Sequence, residues 1–175
     1  MKNYFNQSLV FLDTETTGLD TGAQIIEIAI IDGTGDVIVD LRLKPSVPID
    51  ERAQAVHGIS IEDLADFPQW PEVEPAIKEA LIGKKVVIYN ADFDTRLLRQ
   101  TATAFARDTE WIDNLVTDCA MAGAVRRYGA TNLYGTISLA NAVSRSGCGW
   151  HGKEHSALGD AMTTLALVRK IADVE

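Results

Sequence analysis

The first forty-five residues alternate between short apolar runs and turn-forming residues, which is a pattern typical of β-strands. Three strands are predicted, over residues 8–15 (SLVFLDTE), 24–32 (QIIEIAIID) and 37–45 (VIVDLRLKP). The connections TTGLDTG and GTGD are short and rich in glycine. Because a parallel pair needs a longer crossover, neighbouring strands in this part of the chain are expected to be antiparallel.

Helical patterns follow Pro48, and one further strand is predicted at residues 84–90 (KKVVIYN). Predicted helices cover residues 49–58, 60–67, 71–83 and 93–106, and a last helix starts at about Ser156. The last helix carries an apolar stripe formed by Leu158, Ala161, Met162, Leu165 and Val168. Strands followed by helices, with one strand between helices, predict a mixed sheet covered by helices. No repeat, linker or biased segment interrupts the chain, so a single domain over residues 1–175 is expected.

The excess of acidic residues limits the kinds of partner that the chain can bind. The 175 residues include 16 Lys and Arg against 25 Asp and Glu, a formal net charge of −9. Apolar residues make up 46% and charged residues 23%, which excludes a disordered chain. Residues 1–75 hold 14 acids and 4 bases, whereas the rest is nearly neutral. This balance argues against a protein that binds nucleic acid through a basic coat.

Cysteine content and apolar run lengths bear on the cellular compartment. Cys119 and Cys148 are too few for a disulfide framework and indicate a reducing environment. The apolar run LVFL near the start is too short for a signal peptide. No run approaches the ~20 apolar residues of a membrane helix. A cytoplasmic protein with no membrane partner is therefore expected.

The candidate chemistry begins with two acids at the end of the first strand. Asp13 and Glu15 are two residues apart, so both side chains lie on the same face of the sheet. Two like charges in an apolar strand repel each other and resist desolvation unless a cation holds them. The alternative is a frayed strand end whose acids face water, and the pair alone favours that alternative.

Three further residues add to this pair. Asp94 follows the fourth strand, within NADFD, and alone would be a first-turn acid that complements the helix dipole, like Asp92. Asp160 lies in the last helix beside the apolar stripe, so its carboxylate is expected to point toward the sheet. His155 falls at or just before the start of that helix, in HSALGD.

Taken in order, LDTETTG, NADFD and HSALGDA resemble the motifs of the DEDD (DnaQ-like) exonuclease family, in its His-containing DEDDh branch. AVHGIS resembles a further signature of that family. The family includes the proofreading subunits of bacterial DNA polymerases. The resemblance extends from Leu9 to about the last helix. It implies an α/β fold of the RNase H type, with a mixed five-stranded sheet flanked by helices. It also implies 3′→5′ hydrolysis of nucleic acid to 5′ nucleoside monophosphates.

The same resemblance implies roles for individual residues. Two divalent cations would be held by Asp13, Glu15, Asp94 and Asp160, with His155 as the general base. Oxygen ligands alone favour Mg²⁺ or Mn²⁺ over zinc. The terminal nucleotide would be bound around Thr16, Gly18, Leu19, His57, Asn90 and Phe93. Gly18 would allow close approach of the substrate to the strand end, and Phe93 is either a base-stacking residue or a core aromatic.

One position departs from the family pattern, since Tyr89 stands where many relatives have His. A zinc site is an alternative use of the C-terminal region, because Cys148, His151 and His155, completed by Cys119, have suitable residue types. The stretch SGCGWHGKE is instead expected to be a mobile loop that carries the base to the site. Its Trp150 is either a substrate contact or a loop anchor.

Three functions remain open from the sequence. The leading hypothesis is a stand-alone exonuclease acting on single-stranded 3′ ends of DNA. The second is an exoribonuclease that trims RNA ends with the same site. The third is an inert polymerase-accessory module, which ranks last because all five catalytic positions are filled. A DNA polymerase or a replication or repair protein is a candidate partner.

Overall fold

The computed structural model describes residues 5–172, within which five strands form one sheet. The strands are β1 (Leu9–Thr16), β2 (Ile25–Asp32), β3 (Val37–Arg42), β4 (Lys85–Ile88) and β5 (Val116–Cys119). Their order across the sheet is β3-β2-β1-β4-β5. The pairs β1–β2 and β2–β3 are antiparallel, and the pairs β1–β4 and β4–β5 are parallel. The mixed five-stranded sheet is therefore confirmed, as is the antiparallel arrangement of the first three strands.

Seven α-helices accompany the sheet in the described residues. They are α1 (Glu51–His57), α2 (Trp70–Leu81), α3 (Ala91–Ala104), α4 (Glu110–Asp113), α5 (Ala120–Tyr128), α6 (Leu139–Ser146) and α7 (Ala157–Ala172). The helix predicted over residues 60–67 is wrong, because only a 3-10 turn forms there, at Glu62–Leu64. Asp63 accepts hydrogen bonds from the backbone and hydroxyl of Ser60, and Pro68 disfavours helical geometry in the residue before it.

The fifth strand, β5, lies at the edge of the sheet. The sequence pattern does not locate it, because the strand is four residues long and its first three residues are exposed. An apolar alternation signals a strand only where one face is buried. Pairing with β4 and an ion pair between Lys85 and Asp118, at 2.9 Å, hold β5 in place.

Apolar side chains pack on both faces of the sheet, which follows from the alternation along β1. Val10 and Leu12 face a cluster that includes residues of α2 and α3. Leu9 and Phe11 face a second cluster built with α5, α6 and α7. All eight residues of β2 are buried, which explains its nearly unbroken apolar sequence.

Helix α7 packs against the second cluster with all five residues of the predicted stripe. Its burial extends further, because Gly159, Thr163, Thr164 and Leu167 are buried as well. The helix therefore lies in a groove between β1, β2 and the helices α5 and α6. In residues 5–172, no helix is both long and apolar enough to cross a membrane.

Candidate active site

The carboxyl end of β1 is the point where the sheet, α3 and α7 meet. Pairing between β1 and β4 ends at Leu12 and Ile88, so β1 continues for four residues beyond its neighbour. Helix α3 begins three residues after β4 ends. A register shift between Glu15 and Thr16 marks a bulge in the pairing with β2. Bulges often occur beside active sites, where they change the direction of a side chain.

Three carboxylates converge at this strand end. Carboxylate oxygens of Asp13, Glu15 and Asp160 all lie within 4.8 Å of one another, and each of the three residues is half-buried. Asp13 and Glu15 share one face of β1 because of the two-residue period. Asp160 comes from the first turn of α7, whose start packs on the same face. The structure thus brings together three of the four carboxylates that the sequence motifs single out.

The fourth carboxylate, Asp94, approaches from the opposite face of β1. It lies in the first turn of α3 and is buried, with 4% of its surface exposed. The hydroxyl of Thr14, between the two acids of β1, donates a hydrogen bond of 2.7 Å to its Oδ1. Asp94 stands outside the group of three, yet its charge raises the pKa of both Asp13 and Glu15.

Burial and mutual repulsion make these four acids costly to ionise. Burial is the largest cause for each, and the resulting pKa is about 8 for Glu15, about 7 for Asp94 and about 6 for Asp160. The pKa of Asp13 is raised well above its usual range by burial and then by the neighbouring carboxylates. No lysine or arginine within residues 5–172 forms an ion pair with any of the four. An oxygen-only donor set whose negative charge is offset only in part, by Lys153 near Glu15, fits a hard divalent cation.

These raised pKa values predict how the stability of the metal-free protein depends on pH. The folded state holds protons on Glu15, Asp94 and Asp160 that the unfolded chain has already lost, so stability falls as the pH rises. We expect the melting temperature to decline from about pH 5 to about pH 8. Millimolar Mg²⁺ should remove most of this decline, because it binds the ionised form. Thermal unfolding with Mg²⁺ or with chelator measures both effects, and identical curves would contradict the electrostatic account.

Glu27 is a fifth carboxylate near the site, and the sequence motifs do not include it. It lies opposite Glu15 on β2 and is 6% exposed. Its Oε1 accepts a 2.8 Å hydrogen bond from the backbone N–H of Ala157, the first residue of α7. Its Oε2 accepts from Arg42 Nε at 2.8 Å. Glu27 therefore fixes the start of the helix that carries Asp160. A lone acid inside the apolar run IIEIAII is the sequence signal that could have found it.

Replacing Glu27 with Ala is expected to destabilise the protein by about 1–3 kcal/mol, because a buried N–H at the start of α7 loses its acceptor. Glu27→Gln keeps one oxygen for Ala157 and should recover part of this loss. Urea unfolding of the two variants measures the difference. Equal stability of Glu27→Ala and the unmodified protein would show that Ala157 finds another acceptor.

His155 contacts the carboxylate group through its backbone. Its N–H donates to Asp160 Oδ1 at 3.2 Å, and its φ of 59° is in the left-handed region. The imidazole is 48% exposed, and its Nε2 lies 3.6 Å from Glu154 Oε1. The ring thus faces solvent at the rim of the site, whereas the main chain is held against α7.

The loop of residues 147–155 runs along α7. The backbone N–H of His151 donates to Thr163 Oγ1 at 3.0 Å, and the Lys153 carbonyl accepts from Ser156 Oγ at 2.8 Å. Gly159, next to Asp160, leaves room for this contact: a Cβ there would lie 2.1 Å from the Lys153 oxygen. The absence of a side chain at residue 159 therefore allows the loop that carries His155 to approach α7.

A cleft of about 430 Å³ opens beside Glu15. Its lining includes five of the six residues predicted to bind substrate: Thr16, Gly18, Leu19, His57 and Phe93. The sixth, Asn90, is exposed and lies outside the cleft. Asn90 precedes α3, and its backbone carbonyl accepts hydrogen bonds from Phe93 and Asp94.

Inside the cleft, the ring of His57 is held by two internal hydrogen bonds. Its Nδ1 accepts from the N–H of Ile59 at 3.0 Å, so Nε2 carries the hydrogen and donates to the carbonyl of Thr16 at 3.2 Å. Burial lowers the pKa of His57, which favours this neutral form. Any contact of His57 with a ligand in the cleft would therefore use the face of the ring.

Phe93 and Gly18 both line the cleft. Phe93 packs against the core and also lines the cleft, with the Arg96 guanidinium 5.2 Å from its ring centroid. A Cβ at Gly18 would meet Asp50 Cβ at 3.5 Å, an ordinary contact. Packing within the protein therefore does not require glycine at residue 18, and a side chain there would occupy the cleft itself.

Tyr89, the departure from the family motif, is buried on the face of the sheet that packs against α5, α6 and α7. Its hydroxyl donates a 2.8 Å hydrogen bond to the carbonyl of Ile137. The residue thus joins β4 to the segment before α6. A histidine is too short to make the same contact.

The zinc alternative finds no support in the described part of the chain. Within residues 5–172, the one group of three or more potential ligands is that of Asp13, Glu15 and Asp160. The thiol of Cys119 faces the Tyr89 carbonyl, and that of Cys148 faces the Gly149 carbonyl.

A mixed five-stranded sheet with carboxylates at the end of its central strand, beside an open cleft, defines a nuclease of the RNase H-like fold. Comparison with known proteins agrees. The model of the exonuclease family RNase_T matches residues 10–168. The chain therefore belongs to this family, with the DnaQ-like exonucleases that its motifs resemble, and it is an enzyme of the nuclease class.

Individual relatives are consistent with this assignment. The uncharacterized exonuclease CP81 of Escherichia phage 186 is 34% identical over 98% of this chain and 91% of its own length. The epsilon subunit of DNA polymerase III from Escherichia coli K12 is 33% identical over 57% of this chain and 45% of its own length. The structure of exonuclease X in complex with 5′-overhanging duplex DNA has a TM-score of 0.71 and 26% identity, covering 95% of this chain and 92% of that one.

Proposed function

We propose that this protein is a metal-dependent 3′→5′ exonuclease that hydrolyses DNA, at single-stranded 3′ ends, to 5′ nucleoside monophosphates. The observation that supports it most is the convergence of Asp13, Glu15 and Asp160 within 4.8 Å, beside a cleft. Four carboxylates with raised pKa values, and no ion pair to lysine or arginine within residues 5–172, would destabilise a fold that did not use cations. Residues 1–175 would act as a single exonuclease domain, since the two large apolar clusters pack on the two faces of one sheet.

In this proposal, two divalent cations, Mg²⁺ or Mn²⁺, are held by Asp13, Glu15, Asp94 and Asp160. When bound, such a pair supplies Lewis-acid stabilisation of the attacking and leaving oxygens of a phosphodiester. The protein contributes the geometry. Thr14 orients Asp94 through its 2.7 Å hydrogen bond, and Glu27 fixes the start of the helix that carries Asp160.

His155 is the proposed general base. Its exposed imidazole lies at the rim of the carboxylate group and can accept a proton from the attacking water and release it to solvent. The position of His155 is held by the hydrogen bond that its backbone N–H donates to Asp160. His155→Ala is expected to lower turnover while leaving Mn²⁺ affinity largely intact, and an equal loss of both would make His155 a ligand.

The cleft would hold the terminal nucleotide. Thr16, Gly18 and Leu19 offer backbone and small side chains next to Glu15. Phe93 offers a ring face for base stacking, and the ring of His57 lies in the same lining. Asn90 would contact substrate from outside the cleft, at the start of α3. Two similar proteins support DNA as the substrate. Exonuclease X has been solved in complex with duplex DNA, and the epsilon subunit belongs to a DNA polymerase.

The test offers 3′-labelled single-stranded DNA, duplex DNA and RNA to the protein, with Mg²⁺ or with chelator. The proposal predicts release of labelled mononucleotide from single-stranded DNA in Mg²⁺ only. Release that survives chelation, or that begins at the 5′ end, would overturn it. Faster degradation of RNA than of DNA would make the protein an exoribonuclease that uses the same site.

A further inference from the structure

We propose that the loop of residues 129–136, the α5–α6 loop, is a contact arm for the single-stranded part of the nucleic acid whose 3′ end occupies the active site. This inference rests on the proposed function and extends it to a surface that the family motifs do not include. The arm would stack bases upstream of the scissile end on Tyr134 and Leu133.

The tip of the α5–α6 loop exposes two large apolar side chains to solvent. Leu133 is 104% exposed and Tyr134 is 91% exposed, more than any other large hydrophobic residue in the described part of the chain. A partner that covered these two adjacent side chains would remove apolar surface from water, which favours binding. A tyrosine ring with both faces free is a suitable surface for stacking a nucleic acid base.

The loop is ordered although its tip is exposed. Asn132 Oδ1 accepts hydrogen bonds from the backbone of Tyr134 and Thr136, and Asn132 Nδ2 donates to Thr136 Oγ1 at 2.7 Å. Backbone pairing of Thr131 with Thr136 closes the loop, and Asn141 of α6 donates to Thr131 Oγ1. A tip held in this way binds with a small loss of conformational entropy.

The loop leads into the end of the sheet that carries the active site. Ile137, which follows the loop, accepts the hydrogen bond from Tyr89, one residue beyond β4. The carboxyl ends of the parallel strands β1, β4 and β5 lie at the same edge of the sheet. The carboxylates of β1 and the base of the arm are therefore at one edge, on the same face. The hydrogen bond from Tyr89 to Ile137 joins the base of the arm to the end of β4, which pairs with β1.

Charge identifies the occupant as nucleic acid. Residues 119–153 contain four basic residues and no acid, in a chain whose net charge is −9. Arg126 and Arg127 are exposed on the last turn of α5, directly before the loop, and Arg145 donates to the carbonyls of Tyr128 and Gly129 at its base. Exposed arginines before a loop whose tip exposes an aromatic ring match a strand that presents both phosphates and bases.

The experiment compares two substrates of the full-length protein in Mg²⁺: a single strand of about 20 nucleotides and thymidine 5′-(4-nitrophenyl) phosphate, which is too short to reach the arm. Stacking worth about 1–3 kcal/mol per base predicts that Tyr134→Ala lowers the ratio of their kcat/KM values by roughly 10-fold. Tyr134→Phe, which keeps the ring, should stay near the unmodified ratio. The control is Ile82→Ala, which removes another exposed apolar side chain, just before the amino end of β4.

An unchanged ratio in Tyr134→Ala and in Leu133→Ala would overturn the arm, as would an equal loss on both substrates. If the unmodified protein hydrolysed neither substrate, the proposed function would be wrong, and this result would not test the arm. Fluorescence anisotropy with the labelled single strand would then test the arm by itself. It predicts a roughly 10-fold weaker Kd for Tyr134→Ala, and an unchanged Kd would contradict it.

Discussion

Asp13→Asn is expected to lower the rate of mononucleotide release by at least about 1,000-fold, and at the same time to stabilise the metal-free protein. A catalytic cation contributes several kcal/mol to transition-state stabilisation, and about 4 kcal/mol corresponds to this factor. Asp13 is the acid whose charge sits among those of Asp94, Asp160, Glu15 and Glu27, so its removal weakens the site most.

The gain in stability has the same electrostatic origin as the loss of activity. Burial and four neighbouring carboxylates raise the pKa of Asp13, so an ionised Asp13 opposes folding at neutral pH when no cation is bound. An uncharged amide of the same size removes that opposition. A gain of about 1 kcal/mol would raise the melting temperature by ~2–4 °C in a protein of this size.

Asp92→Asn is the matched control, because it removes an exposed acid two residues from Asp94. Its rate and melting temperature should stay close to those of the unmodified protein. Steady-state nuclease assays and thermal unfolding in chelator measure the pair of effects. If Asp13→Asn were less stable than the unmodified protein in chelator, the carboxylates would not be in the repulsive arrangement described above.

Gly159→Ala is expected to lower both stability and turnover, although the same change usually stabilises a helix. Alanine exceeds glycine in helix propensity by about 1 kcal/mol. At residue 159 that gain is outweighed, because the new Cβ would lie 2.1 Å from the Lys153 carbonyl oxygen. The loop of residues 147–155 must move away from α7, and His155 with it. We expect a loss of about 1–3 kcal/mol in the free energy of unfolding and at least a 10-fold lower rate.

Gly123→Ala in α5 is the corresponding control. A Cβ at residue 123 would meet its nearest atom, Arg126 Nη2, at 3.8 Å, which is an ordinary contact. This variant should be as stable as the unmodified protein or slightly more stable. Urea unfolding compares the stability of the two glycine variants, and nuclease assays compare their rates. Equal behaviour of the two glycine variants would mean that the loop does not depend on its contact with residue 159.

The sequence predicts the fold best where burial is one-sided or complete. The apolar run of β2 and the apolar stripe of α7 correspond directly to the side chains that pack inward, whereas the alternation in β3 predicts the strand although Val39 is its one buried residue. The edge strand β5 buries little and leaves no such record. The 3-10 turn at Glu62–Leu64 shows the reverse case, in which local Ser60–Asp63 hydrogen bonds replace a helix that the pattern favours.

Some residues of the candidate site can be predicted from the sequence, and others cannot. Motif order alone selects Asp13, Glu15 and Asp160, and the structure places their carboxylates together. Glu27 escapes the motifs because its role depends on a backbone N–H that is 130 residues away in the chain. Gly159 escapes because its role depends on the space that the loop occupies. Both roles depend on contacts that form only when the chain is folded.

Electron paramagnetic resonance can count the Mn²⁺ ions bound at about pH 8, where Asp94 and Asp160 are mostly ionised and the metal displaces the protons that remain on the other carboxylates. We expect two Mn²⁺ ions per unmodified chain. We also expect loss of tight binding in Asp13→Asn and full retention in Asp92→Asn. Equal Mn²⁺ binding by Asp13→Asn and the unmodified protein, or no binding by either, would contradict the assignment of the carboxylate group as the metal centre of an exonuclease.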